Sequence, residues 1–191
     1  MVFRTTVLRP RNGKFRMILK LKRTPGIYLV GFMGSGKSTV GRALADELGW
    51  SFIDLDEEIE RREDSSISDI FDLRGEEEFR EIEAALLRER VRNVQSGRPQ
   101  VVSLGGGAFV SEENFELVTN NGVTIWLDCE FSHIERRIAG ETHRPLARDP
   151  KKLRALFDAR REHYARADYR VEVIDDDARA AVARILALPL F

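Results

Sequence analysis

Between the apolar run Ile27-Tyr28-Leu29-Val30 and a segment carrying Val40, Leu44, Ala45 and Leu48 lies the octapeptide Gly31-Phe32-Met33-Gly34-Ser35-Gly36-Lys37-Ser38. The run before it has the length and composition of a buried strand. The segment after it repeats at helical spacing, and Gly49 stands where that helix should end. The octapeptide fits G-x-x-x-x-G-K-[ST]. Its glycines let the backbone curl until several N–H groups point at one anion, and the helix opening near Lys37 adds the positive end of its dipole. With glycine at about 7% of residues in general, a chance match in a chain of this length has a probability of roughly 1% or less. Gly34, Ser35, Gly36, Lys37, Ser38 and Thr39 are therefore expected to line a nucleotide-phosphate cradle. Lys37 would reach the β- and γ-phosphates, and the Ser38 hydroxyl would be available to Mg²⁺. The pattern locates a triphosphate but says nothing of what receives the phosphate.

Strand and helix signals alternate through the rest of the chain. Phe52 to Leu55 reads as a second strand. Ser66 to Asp69 resembles a capping box ahead of a short helix with Ile70 and Phe71. Glu76 to about Gln95 forms a long helix with Phe79, Ile82, Leu86 and Leu87 on one face. Val101 to Leu104 is a third strand running into Gly105-Gly106-Gly107, and Ser111-Glu112-Glu113 opens another helix. A fourth strand, Val123 to Leu127, is followed by a helix through His133 to Ile138. A loop from Gly140 to Pro150, suited to a lid, then leads into a helix over roughly Lys151 to Ala167. Val171 to Ile174 is the last strand, and Ala178 to Leu188 the closing helix. The expectation is an α/β fold: a three-layer α/β/α sandwich around a five-stranded parallel sheet, with a small helical lobe (about 56–95) and a lid (about 140–150). Ligands of such sheets bind at the carboxyl ends of the strands. The segments 31–39, 54–56 and 105–107 all fall at such ends.

Composition narrows the class. A chain of 191 residues, 42% hydrophobic and 33% charged, suits one globular domain with its own core. No apolar run approaches the ~18 residues of a membrane span. The single cysteine, Cys129, excludes an internal disulfide and reads as a small buried hydrophobe. His133, His143 and His163 are scattered without metal-ligand spacing and are read as non-catalytic. Eight of the 31 basic residues fall in the first 25 positions with no acidic residue, leaving 23 basic against 32 acidic and a net charge of −9 in the remainder. This leader lacks the serines of an organellar import peptide and the apolar stretch of a secretory signal. No aromatic platform or recognition motif for nucleic acid accompanies its charge. It is read as a poorly ordered extension without assigned function, with Met17 a second possible start and organellar import the lesser alternative to the cytoplasm.

Asp54-Leu55-Asp56 closes the second strand, where residues two apart share a face. The pair would serve a metal ion and an acceptor hydroxyl; the competing reading is a helix start capped by Asp56 and followed by Glu57 and Glu58. Arg80 with Glu83 three residues on would by itself be a weak surface ion pair. The three-glycine run lets a ligand approach the backbone, or is simply a turn. Arg144-Pro145-Leu146 sits in the lid, and Arg160 and Arg161 lie on a mostly polar helix face where solvation is the default.

Taken in order, these segments resemble the shikimate kinases. The resemblance runs from Gly26 to about Ala183. It is carried by Gly31 to Arg42, Asp54-Leu55-Asp56 with Ile59-Glu60, Ile67 to Phe71, Gly75-Glu76 with Phe79-Arg80 and Glu83, and Gly105 to Gly107. Arg144-Pro145-Leu146, Arg160 with Tyr164, and Ala167-Asp168 complete it. The resemblance implies transfer of the ATP γ-phosphoryl group to the 3-hydroxyl of shikimate, by a cytoplasmic monomer without nucleic-acid or membrane partners. It implies that Asp56 holds the acceptor hydroxyls and draws off the proton, and that Arg80 and Arg160 grip the shikimate carboxylate. Glu83 would orient Arg80, and Gly105, Gly106 and Gly107 would lend backbone contacts. Asp54 would hold Mg²⁺ through water beside Ser38 and Ser103. Lys37 and Arg144 would act on the transferred phosphoryl, and Arg137 would lie near the adenine. The acidic segment Val173 to Asp177 departs from the family pattern. Two other readings stay open at this point: a related small-molecule kinase acting on gluconate or a nucleoside monophosphate, and a nucleotide-binding protein that has lost catalysis.

Overall fold

The structure is a computed structural model that describes residues 6–7, 17–18, 26–139, 149–174 and 176–190. The sheet follows from its connections. Parallel strands need crossover helices, and helices on both faces bury each strand, so inner strands become continuous apolar runs rather than alternating ones. β3 (Gly26–Val30) and β6 (Val123–Cys129) are buried at every position. They lie at the centre of the five-stranded sheet with β4 (Ser51–Asp54), β5 (Gln100–Ser103) and β7 (Tyr169–Val173), in the order β4-β5-β3-β6-β7. Every pairing is parallel, with Leu29 opposite Ser103 and Val30 opposite Trp126. The chain leaves β3 toward one edge and later returns to its other side, so the end of β3 is a topological switch point. A separate antiparallel pair joins β1 (Thr6–Val7) to β2 (Met17–Ile18) within the basic leader, a pairing for which the sequence carries no recognisable signal.

The helices are placed by their caps. α1 (Lys37–Leu48) opens after Gly36, whose φ of 90° is the left-handed conformation that glycine takes without strain. α2 (Leu55–Glu63) follows β4 directly. α3 (Ile67–Gln95) starts at Ser66, whose hydroxyl accepts the Asp69 N–H at 3.1 Å, and is interrupted at Gly75 (φ 87°, ψ 169°). The interruption divides it into the short and long helices expected from the sequence. Arg62 joins Glu58 to Glu89 and so ties α2 to the long part of α3. α4 (Glu112–Asn121), α5 (Phe131–Ile138), α6 (Pro150–Tyr164) and α7 (Ala178–Leu186) complete the set. α1 packs with α7 and α3 with α4.

Most boundaries shift by a residue or two from expectation, and two of the shifts have a clear cause or consequence. β6 extends to Cys129, which is buried as a small hydrophobe. α6 stops at Tyr164, short of Ala167, because Asp168 has another engagement. Its carboxylate accepts the Thr124 N–H at 3.0 Å and hydroxyl at 2.8 Å, while its own N–H donates to Thr124 Oγ1 at 2.9 Å. That reciprocal pair pulls the chain out of the helix and onto β6, where β7 begins. The lid segment expected over 140–150 lies outside the described residues for 140–148. No described helix is long and apolar enough to cross a membrane.

Gly41 supplies a test of the packing. A Cβ there would come within 2.4 Å of a Phe52 ring carbon and 3.1 Å of a Leu29 methyl. A glycine-to-alanine change inside a helix ordinarily stabilises by about 1 kcal/mol. Gly41→Ala is expected to reverse that sign and destabilise by about 1–3 kcal/mol, since α1 must lift from the sheet. Urea unfolding measures it; a stabilised variant would mean that the Phe52 ring swings aside freely.

Candidate active site

The loop after β3 curls through Gly34 (φ 73°) and Gly36 (φ 90°). Curling brings Lys37 back over its start: Nζ donates to Gly31 O and Phe32 O, both at 3.0 Å. The ammonium is thereby held across the loop mouth, 9% exposed. One residue on, Ser38 Oγ donates to Asp54 Oδ2 at 2.5 Å.

Asp54 is where the strand argument needs correction. β4 ends at Asp54, and Asp56 already lies in the first turn of α2. Strand alternation therefore does not aim the two carboxylates, and the capping residue is Asp54, not Asp56. Asp54 Oδ1 accepts the N–H groups of Asp56 and Glu57 at 3.0 and 3.3 Å. With one oxygen on the helix start and the other on Ser38, Asp54 sets the first turn that directs the Asp56 carboxylate toward the loop after β5.

That loop is Gly105-Gly106-Gly107, and each glycine has a neighbour on the side where a Cβ would stand. At Gly105 a Cβ would lie 2.6 Å from Asp56 Oδ1 and 2.7 Å from Glu83 Oε1; at Gly107 it would lie 2.6 Å from Arg80 Nη2. At Gly106 the nearest atom is Arg160 Nη1, at 3.4 Å. The run is therefore more than a turn: a substituent at 105 or 107 would displace a charged group.

Arg80 and Glu83 are not a surface pair either. Glu83 is 1% exposed and accepts Arg80 Nη1 at 2.8 Å, while Arg80 Nη2 also reaches Glu76 at 3.1 Å. The guanidinium lies 5.1 Å from the centre of the Phe79 ring. Burial pushes the Glu83 carboxyl above the ordinary range; Arg80 opposes the shift and the nearby Asp56 adds to it. The adjacent arginines of α6 divide. Arg160 faces the cleft over Phe32, while Arg161 turns away to Asp128 at 3.0 Å and to the Trp126 face. Neither is simply solvated.

Arg137, on α5, docks onto the phosphate loop by donating Nη1 to Gly34 O at 2.8 Å. Its Nε and Nη2 both reach Asp176 Oδ1, at 2.9 and 2.6 Å, and Arg136 takes the second oxygen at 3.0 Å. The acidity of the segment before α7 thus has a local partner in two arginines. Sequence reasoning left Asp176 without a role; its opposite-charge neighbours are 39 and 40 residues away in the chain, beyond any local signal. One cleft of about 1400 Å³ is bordered by Lys37, Ser38, Asp54, Asp56, Arg80, Glu83, Ser103, the glycine run and Arg160, and also by Arg137 and Asp176. Arg144 lies outside the described residues. Among the described residues no cluster of three or more His, Cys, Asp or Glu side chains is arranged to hold a metal ion.

Comparison with known proteins follows the same lines. Residues 33–188 match the family model described as shikimate kinase. A shikimate kinase of Persephonella marina is 43% identical over 146 residues, covering 76% of this chain and 87% of its own. One of Rhizobium meliloti is 41% identical over 174 residues, covering 88% of each. Among solved structures, a shikimate kinase from Acinetobacter baumannii in complex with shikimate superposes with a TM-score of 0.80 at 38% identity, covering 87% of this chain and 93% of that one. The Aquifex aeolicus enzyme gives a TM-score of 0.71 at 34% identity, covering 84% and 93%.

Glu83 yields a pH prediction. A carboxyl with a raised folded-state pKa costs stability only where it is ionised: nothing below its unfolded pKa, and increasingly more as pH rises through the folded value. Glu83→Gln removes that cost. Its stability relative to the parent is expected to improve as pH rises above the ordinary glutamate range and then to level off in thermal unfolding. A difference that stays flat, or moves the other way, would mean that Arg80 holds the ionised form at no net cost.

Proposed function

The chain belongs to the shikimate kinase family, and from that premise we propose that it transfers the γ-phosphoryl group of ATP to the 3-hydroxyl of shikimate. The products are ADP and shikimate 3-phosphate, within aromatic amino-acid biosynthesis. The observation that carries the reading is the glycine run after β5, against which Asp56, Glu83, Arg80 and Arg160 converge in the same cleft as the phosphate loop.

The roles follow from the chemistry of each group. The loop from Gly34 to Thr39 cradles the phosphates, and Lys37 turns its ammonium from the loop carbonyls to the β- and γ-oxygens. Two arginines suit an acceptor with a carboxylate, because planar guanidinium forks make charge-assisted bonds to its oxygens. Arg80 and Arg160 take that part, with Glu83 fixing Arg80 from below. Asp56 holds the acceptor hydroxyl and accepts its proton as the oxygen attacks phosphorus. Arg144, in the lid over about 140–150, meets the charge that spreads over the transferred phosphoryl, and the closed lid keeps water from competing. Arg137 borders the nucleotide base.

Mg²⁺ fits the cradle, because Ser38 Oγ and Asp54 Oδ2 adjoin at 2.5 Å as hard oxygen donors. Mg²⁺ needs only one or two protein ligands beside phosphates and water. Ser38 would hold it directly and Asp54 through water, and the ion when bound neutralises charge on the phosphate oxygens. The same reading treats residues 26–191 as one kinase domain, with a substrate lobe at about 56–95, and the enzyme as a cytoplasmic monomer without nucleic-acid or membrane partners. The basic leader receives no role.

ADP release from MgATP, followed with shikimate, gluconate and AMP in parallel, tests the acceptor. Turnover is expected with shikimate alone; brisk turnover with either of the others would overturn the assignment. Asp56→Asn is expected to lower kcat by about 10²–10⁴-fold. Arg144→Ala should act chiefly on kcat, by about 10²–10³-fold. A change confined to the KM for ATP would remove Arg144 from the transition state.

A further inference from the structure

Asp176 stands in the short connection between β7 and α7, just ahead of Ala178, with its side chain 65% exposed. A carboxylate so placed would ordinarily be left to solvent, and beside a nucleotide it would repel the phosphates. Here it is engaged by two cations. Oδ1 accepts both Nε and Nη2 of Arg137, at 2.9 and 2.6 Å, and Oδ2 accepts Arg136 Nη2 at 3.0 Å. The hydrogen bonds from Arg137, with Arg136 and His133 nearby, hold the Asp176 carboxyl below its usual range. On its other side Arg137 is pinned to the phosphate loop. Nη1 donates to Gly34 O at 2.8 Å and lies 3.6 Å from the buried Cys129 sulfur. The guanidinium is therefore held at two edges, by a carboxylate ahead of α7 and by a backbone carbonyl of the phosphate loop. Arg137 and Asp176 both border the cleft, with Val173 and Ala178 beside them.

We propose that Asp176 is a positioning residue for the nucleotide base: it fixes the plane of the Arg137 guanidinium, so that Arg137 meets the base through its flat face. The proposal rests on the assignment of Arg137 to the base and goes beyond it by naming what aims that side chain. Bound along its Nε–Nη2 edge and again at Nη1, a guanidinium cannot turn about its stem without breaking a charge-assisted bond. Its planar face is then what it has to offer, and such faces stack on aromatic rings. Without the carboxylate, the long arginine stem would lose its freedom each time a nucleotide bound. The charges agree with this role. Asp176 offsets part of the positive field of Arg136 and Arg137, so the pair does not draw phosphate groups to the base end of the cleft. The carboxylate touches no reacting atom, and its effect belongs in nucleotide binding rather than in phosphoryl transfer.

The test is Asp176→Ala, at a position exposed enough that no cavity results; circular dichroism verifies the fold. Calorimetric titration of the full chain with MgADP is expected to show affinity lowered about fivefold, the upper end for an exposed charge pair. Inorganic pyrophosphate with Mg²⁺ occupies the phosphate loop without a base, and its affinity should stay the same or rise. In turnover the KM for ATP should rise by the same factor, with kcat and the KM for shikimate held within about twofold. Asp176→Ala combined with Arg137→Gln should weaken MgADP no further than Arg137→Gln does, because the carboxylate acts through that arginine. Equal losses for MgADP and pyrophosphate would make Asp176 a support of the loop and overturn the proposal. Tighter binding of both, the sign of a purely electrostatic effect, would overturn it too, as would an undiminished loss in the double variant. Arg137→Gln alone separates the two assignments. If it leaves MgADP binding intact, Arg137 is not at the base, and the proposal falls with the reading beneath it. A loss there with none in Asp176→Ala overturns the role of Asp176 and leaves Arg137 where it is.

Discussion

Asp54 is the carboxylate on which the arrangement of the cleft depends. It terminates β4, caps α2 and contacts the first helix of the phosphate loop through Ser38. An uncapped α2 would leave partly buried N–H groups without their present partner and its first turn free to fray. The fray would fall on Asp56, the next carboxylate in line. The phosphate-loop side and the glycine-run side of the cleft are therefore joined through a side chain that holds Ser38 and the first turn carrying Asp56.

The acceptor half is assembled at some cost to the fold. Glu83 is buried, paired with Arg80 through one oxygen, while its other oxygen has no hydrogen-bond partner among the described residues. A buried ion pair rarely repays its desolvation, so its persistence is better explained by orientation than by stability. The opposite pattern holds on the outside of the lobe. There Arg62, Glu58 and Glu89 form exposed pairs that connect α2 and α3 and add little individually. Stability is supplied by the apolar core around Leu29, Leu44, Val102 and Ile125, and the polar groups of the cleft draw on it.

Much of this was legible in the residues. The strand–loop–helix at 27–48 dictates its own conformation, and apolar runs separated by helical periods define a parallel sheet with little ambiguity. The paired arginines were visible as residues, yet their burial was not: local spacing made Arg80 and Glu83 look like a solvent-exposed pair. The direction of Asp56 was reached by the wrong route, since strand alternation cannot foresee a helix that begins one residue early. Asp176 was missed because its partners, Arg136 and Arg137, lie 40 and 39 residues away in the chain. Tyr164 was visible beside Arg160, but its bond to the Gly106 carbonyl was not, since a backbone carbonyl has no letter.

The crowded glycine run also bears on what mutation can do to this surface. Gly105 and Gly107 cannot gain a side chain without displacing Asp56, Glu83 or Arg80, the charged groups that converge on the run. A compound that lays its own atoms along that stretch of main chain would therefore bind a patch that cannot change shape without moving a charged side chain. Escape would have to come from elsewhere in the cleft.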